Sequence, residues 1–165
     1  MLFGAKDSFA IEAEVTARDA GWIFGRLRFW VYNNSYGDYE NPVDLKASAR
    51  WGRTFLAASS RRTRPEFENT PSDQVFYELY GKYLHTAAPP ERWDRDAFVL
   101  DEFGESSLRD KISIVIVRLR DGIDRLLVRD LSSDSIKDFR LHSGQCDKLV
   151  NDYCNWVALE CGNDM

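Results

Sequence analysis

The chain has 165 residues, of which 44% are hydrophobic and 13% aromatic, and it carries a formal net charge of −5. That length suits one domain over residues 1–165, and the apolar content supports one sizeable core and argues against wholesale disorder. The acidic balance, with an isoelectric point near 5.1, disfavours nucleic acid as the main partner, because phosphate binding rests on clustered Lys and Arg; it suits a protein that meets a basic partner.

From Phe9 to Ala17 the residues alternate, with Phe9, Ile11, Ala13 and Val15 on one side and Glu12 and Glu14 on the other. Period two over this length predicts a half-buried strand. Arg18 to Gly21 has turn composition, and a second strand from Trp22 to Tyr32 would close an antiparallel hairpin. Gly25 lies inside that strand, where a missing side chain marks a bulge or a close approach. A turn at Asn33 to Ser35 and a short third strand from Tyr36 to Glu40 extend the meander. The character then changes. Val43, Ala47, Trp51 and Phe55, joined by Leu45 and Leu56, recur at helical spacing behind Pro42, with Asp44 suited to a first turn. Arg61 to Pro65 reads as a polar loop. Ser72 or Asp73 can cap a second helix with Val75, Phe76, Leu79, Tyr80, Tyr83 and Leu84 on one face, stopped before Pro89 and Pro90.

Glu91 to Asp110 reads as an acidic, irregular stretch with at most one short strand, anchored by Trp93, Phe98, Leu100 and Phe103. Ile112 to Leu119 is β-branched and reads as an interior strand. Asp121 and Gly122 form a strong hairpin turn, after which Ile123 to Asp130 pairs back and Ile136 to Leu141 adds another strand. Cys146, Leu149, Val150, Tyr153, Trp156 and Val157 make the stripe of a final helix. The order predicts an α+β fold, a mainly antiparallel sheet of about six strands with two to three helices packed on one face. Phe9, Ile11, Trp22, Phe24, Trp30, Ile114, Ile116 and Trp156 are the expected core.

Chemistry is sparse. Phosphate-loop, dinucleotide, zinc-protease and nucleophile-elbow motifs are absent, so no catalytic residue is assigned. His85 reads as a helix-end residue and His142 as a loop residue. Cys146, Cys154 and Cys161 are odd in number and widely spaced, which fits neither a disulfide framework nor a zinc site; reduced thiols are expected, with no metal and no cofactor. Met1 to Asp7 has no basic segment followed by an apolar one. The longest apolar run, Ile112 to Val117, falls far short of the roughly 18 to 20 residues that span a bilayer. Cytoplasm is therefore the expected compartment, without a membrane partner.

Charge carries more. Glu91, Asp94, Asp96, Asp101, Glu102, Glu105 and Asp110 crowd one stretch and alternate with Trp93, Phe98 and Phe103, while Asp38 and Glu40 lie near the third strand. A solvated acidic loop is one reading. The other is an interface in which aromatic anchors carry affinity and carboxylates steer a basic partner; its candidate contacts are Trp93, Asp94, Asp96, Asp101, Glu102, Phe103 and Glu105, with Asp38 and Tyr39 secondary. A carboxylate pair acting as acid and base would instead give a small hydrolase. Lys46, Arg50, Arg53, Arg61, Arg62 and Arg64 form an opposing basic run. In an acidic chain it reads as a solvated helix face before it reads as an accessory nucleic-acid-binding module.

Asp7 to Glu12, then Gly21-Trp22-Ile23-Phe24-Gly25-Arg26, then Tyr36-Gly37-Asp38-Tyr39-Glu40 ahead of Asp44-Leu45, resemble in order and spacing the opening of the immunity protein 42 family of bacterial polymorphic toxin systems. Asp124 to Arg129 and the closing helix with Trp156 are similar, less specifically; the span from about Arg61 to Glu105 carries no residues matched to the family's pattern. The resemblance implies a cytoplasmic protein that binds and neutralises a cognate toxin stoichiometrically, without cofactor or catalysis. Many toxins of these systems are nucleases with basic clefts, which an acidic inhibitor would suit.

Overall fold

The computed structural model describes residues 1–81, 95–104 and 106–161. Strands β2 (Phe9–Asp19) and β3 (Trp22–Val31) pair antiparallel from Phe9 opposite Val31 to Asp19 opposite Trp22. Ala20 and Gly21, with φ of 42° and 87°, make the two-residue turn whose twist matches that of paired strands. On the other edge of β2 lies β1 (Leu2–Gly4). Both β4 (Asn34–Tyr36) and β5 (Val43–Asp44) pair with β3, which completes a five-stranded sheet.

Gly25 is the predicted close approach. A Cβ there would stand 2.2 Å from the Glu14 carbonyl oxygen and 2.5 Å from Leu45 Cδ1, and the β2–β3 register shifts opposite it, between Val15 and Ala17. The expected strand from Tyr36 to Glu40 ends instead at Tyr36. Gly37 turns the chain at φ 110°, and the Asp38 carboxylate then accepts from Glu40 N at 3.2 Å and Asn41 Nδ2 at 3.1 Å. Side-chain capture of neighbouring backbone competes with the ladder.

Helix α1 (Leu45–Ala57) opens where Asp44 Oδ1 accepts from Lys46 N at 2.9 Å, an N-cap in place of the expected first-turn role. After 3-10 turns at Ser59–Arg62 and Pro65–Phe67 comes α2 (Ser72–Phe76), continued by a π turn at Tyr77–Gly81. The expected continuation through Tyr83 and Leu84, and His85, lie outside the described residues. Short helical turns occupy the stretch expected as loop: α3 (Arg95–Phe98), a 3-10 turn at Asp101–Gly104, and α4 (Ser106–Arg109).

A second sheet holds β6 (Ile112–Arg118), β7 (Ile123–Asp130) and β8 (Ser135–His142) in that order, with Asp121 and Gly122 at φ 60° and 70° in the first hairpin. Its strands β6 and β7 are buried on both sides, while β8 is largely exposed. Ile112, Ile114, Ile116, Leu126, Val128 and Leu141 join the main core shared with the first sheet and α1. Val115, Val117 and Leu127 face a smaller core under Phe67, Val75, Phe76, Leu79, Tyr80, Phe98 and Val99. Two-sided burial accounts for the continuous β-branched run. In the ladder, however, β6 is the edge strand. Leu100 N donates to Ile114 O at 3.0 Å and Arg64 N to Arg118 O at 2.8 Å, so flanking chain covers that edge.

The last helix, α5 (Gln145–Glu160), lies on α1: the Tyr153 hydroxyl and Ser48 Oγ are 3.0 Å apart, and Cys154 Sγ is 3.4 Å from Ala49 O. The α+β, mainly antiparallel architecture is as expected. Among the described residues, eight strands divide between two sheets instead of about six in one, and helices lie on both sides of the second sheet. Phe9, Ile11, Ile114 and Ile116 are fully buried, whereas Trp22 is 53% exposed and Phe24, Trp30 and Trp156 are half-buried. On β3 the inward set is Ile23, Leu27, Phe29 and Val31. The other set contains Arg26 and Arg28, whose charges need solvent, and its aromatics follow them outward. Among the described residues no helix is long and apolar enough to cross a membrane.

Candidate partner-binding surface

That outward register builds a surface. Trp22 and Phe24 stack at 6.2 Å between centroids and 9° between planes. Further along β3, the Arg28 guanidinium carbon stands 4.7 Å from the Trp30 ring and 4.2 Å from the ring of Tyr39. Glu12, directly across on β2, fixes both neighbours: Arg28 Nε and Trp30 Nε1 each donate to its Oε2 at 2.7 Å. Lys6 Nζ completes the group, 4.1 Å from the Trp30 centroid and 3.5 Å from Glu12 Oε2. Partial burial works against the Glu12 anion, but the bonds from Arg28 and Trp30 outweigh it and hold the carboxyl down at about 2. Trp, Tyr and Arg are the residues that dominate binding energy at protein interfaces. Here they are locked in place beforehand, which spares the entropy of ordering them on association.

Of the residues nominated from the sequence, Asp38 and Tyr39 lie at this surface. Tyr39 flanks Arg28, and Asp38 Oδ2 accepts from Lys111 Nζ at 2.9 Å. Asp96 is half-buried on α3. Glu102 is held between Arg95 and Arg109, with 12% of its side chain exposed. Asp101 and Phe103 are fully buried and are corrected to structural roles. Asp101 Oδ1 accepts from Ile114 N and Oδ2 from the Tyr80 hydroxyl, both at 2.9 Å, so its carboxylate stands in for a missing strand partner along β6. Burial pushes the Asp101 carboxyl up, and the Tyr80 hydroxyl beside it is pushed up to about 12. Phe103 packs between Phe29 and Tyr153 at 5.8 and 5.4 Å. Trp93, Asp94 and Glu105 lie outside the described residues.

The basic run is likewise divided. Arg50, Arg53 and Arg61 are exposed, but Arg62 is fully buried: Nε donates to Ala97 O at 2.6 Å, Nη2 to Phe55 O at 2.7 Å and Nη1 to Asp147, with the guanidinium 3.7 Å from the Phe55 centroid. Arg64 lies over Phe67 and pairs with Glu66. Arg118 links Asp147 to the buried Asp124, at 2.9 and 2.8 Å. Among the described residues no group of His, Cys, Asp or Glu is placed to hold a metal ion. The aromatic–arginine surface was missed at the sequence level because its aromatics were assigned inward; the signal that could have found it is the pair Arg26 and Arg28 in their register.

The family model described as immunity protein 42 matches residues 1–156. A search of curated proteins finds no match. Among solved structures the fold is similar to the crystal structure of CdiI from Burkholderia dolosa AUO158, with a TM-score of 0.75 and 15% identity over 94% of this chain and 99% of that one.

Proposed function

The chain belongs to the immunity protein 42 family, and we propose that it neutralises a cognate toxin by stoichiometric binding through the outward face of its first sheet. The carrying observation is Arg28, ordered between Trp30 and Tyr39 and bonded to Glu12 before any partner arrives. Asp38 and Tyr39 carry contact on that face, and Asp96 adds to the acidic field that steers a basic partner. The protein acts as one domain over residues 1–165, in the cytoplasm, as an inhibitor and not as an enzyme. Both the family and the burial or pairing of Asp101 and Glu102, which leaves them no role as a carboxylate pair working on substrate, support that reading.

The likeness to CdiI favours a toxin of contact-dependent inhibition. The net charge of −5 favours one with a basic cleft, as a nuclease has. Co-expression with the toxin domain encoded beside this gene, followed by size-exclusion chromatography, tests the reading. It expects one complex of fixed stoichiometry; two separate peaks at micromolar concentration would refute it.

A further inference from the structure

The ordered guanidinium of Arg28 has donors left over. Such a group donates in its own plane, from Nε and from both Nη atoms. Nε is taken by Glu12 Oε2 at 2.7 Å. Among the described residues Nη1 and Nη2 make no hydrogen bond, and 26% of the side chain is exposed. The rings of Trp30 and Tyr39 stand 4.7 and 4.2 Å from the central carbon. Rings that close crowd the faces of a planar cation, so a further acceptor has to reach it edge-on.

The charge around this slot suits one small anion. Lys6 Nζ lies 4.1 Å from the Trp30 centroid and 3.5 Å from Glu12 Oε2, so two cations, Lys6 and Arg28, share the one Glu12 carboxylate. Arg26, the next cation along β3, is answered by Glu40 at 3.4 Å, and Glu14 stands opposite it on β2. Asp38 is held by Lys111. These flanking acids oppose the closely spaced phosphates of a nucleic acid, whereas a single charge placed at Arg28 and Lys6 meets its two nearest neighbours as cations.

We propose that Arg28 receives a carboxylate side chain of the cognate toxin, an aspartate or glutamate that enters between Trp30 and Tyr39 and accepts from Nη1 and Nη2. Guanidinium and carboxylate match fork to fork, with two parallel charge-assisted hydrogen bonds. The flanking rings keep water from those bonds, which strengthens them. A carboxylate seated there fixes the register of the toxin on the sheet, while the acidic field of the chain acts earlier and at longer range. The inference rests on the immunity reading and deepens it by naming the group that the partner offers.

The test is a double-mutant cycle by titration calorimetry, with the full chain and the catalytically silenced toxin domain encoded beside the gene. Wild type and Arg28→Gln are each titrated with toxin variants in which one Asp or Glu at a time becomes Asn or Gln. One toxin variant should bind wild type about 10- to 100-fold more weakly than the unaltered toxin does. The same change should weaken binding to Arg28→Gln by no more than about threefold, because the bond it removes is already gone. Should Arg28→Gln not fold, Arg28→Lys, which loses the fork but keeps the charge, should single out the same toxin residue with smaller coupling. Equal losses on both backgrounds for every toxin carboxylate would overturn the carboxylate and leave the immunity reading standing. Wild-type binding of a single-stranded RNA, lost in the Arg28 variant, would overturn it in favour of phosphate. Absence of wild-type binding to the toxin would overturn the immunity reading and the carboxylate with it.

Discussion

The guanidinium of Arg28 lies 4.2 Å above the ring of Tyr39, bringing the middle of β3 together with the turn that follows β4. A planar cation on an aromatic face is a preformed contact surface, and its energy depends on shape as well as charge. Tyr39→Ala should therefore weaken toxin binding by at least about 2 kcal/mol. Arg28→Lys, which keeps the charge and loses the planar stack, should weaken it too. Calorimetry with the purified toxin domain checks both; affinities equal to wild type would move the interface elsewhere.

Two acids give opposite pH behaviour. The Glu12 carboxyl is lowered from 4.5 to about 2 on folding, so its contribution is full above 4.5 and drains as the pH falls toward 2. Asp101 is raised above 3.8, so it favours folding most below that value and loses that contribution as the pH rises through its folded value. Urea unfolding across pH 2 to 7 (roughly the range in which carboxyls titrate) should show a shallower acid limb for Glu12→Gln than for wild type. An unchanged limb would mean that the Arg28 and Trp30 bonds do not persist in solution.

Arg62→Ala should destabilise the fold by about 3–5 kcal/mol, because it strips a fully buried guanidinium from Asp147 and from the carbonyls of Phe55 and Ala97. Denaturant unfolding measures the loss. The fraction that remains folded should bind toxin normally, since Arg62 reaches no surface.

The three thiols should separate by exposure. Cys146 and Cys154 are buried, and burial pushes the Cys154 thiol up to about 11 and that of Cys146 higher still; Cys161 is half-exposed. A thiol reagent should modify Cys161 first, and the other two only at the rate of unfolding. Prompt reaction of all three would contradict the packing of α5 on α1.

Much of the fold was legible because its signals are local. The alternation of β2, the Asp121–Gly122 turn and the stripe of α5 each fall within one element. The errors arose where tertiary context decides. Trp22, Phe24 and Trp30 read as core by size, yet they share a face with Arg26 and Arg28, and charge outweighs area in choosing which side meets water. Asp101 read as surface by type, but the unpaired edge of β6 draws it inward to accept from Ile114. Arg62 read as part of a solvated run, and only the convergence of α3, α5 and the end of α1 shows what it satisfies. Asp38 and Tyr39 could be placed near the third strand from sequence; the partner of Tyr39, Arg28 on β3, could not.

Survival counting tests the central claim most directly. Cells expressing the active toxin domain would carry wild-type protein, Tyr39→Ala or no inhibitor, with the level of folded protein matched. The account predicts full rescue by wild type and reduced rescue by Tyr39→Ala. Killing that proceeds unchanged in the presence of wild-type protein would contradict it.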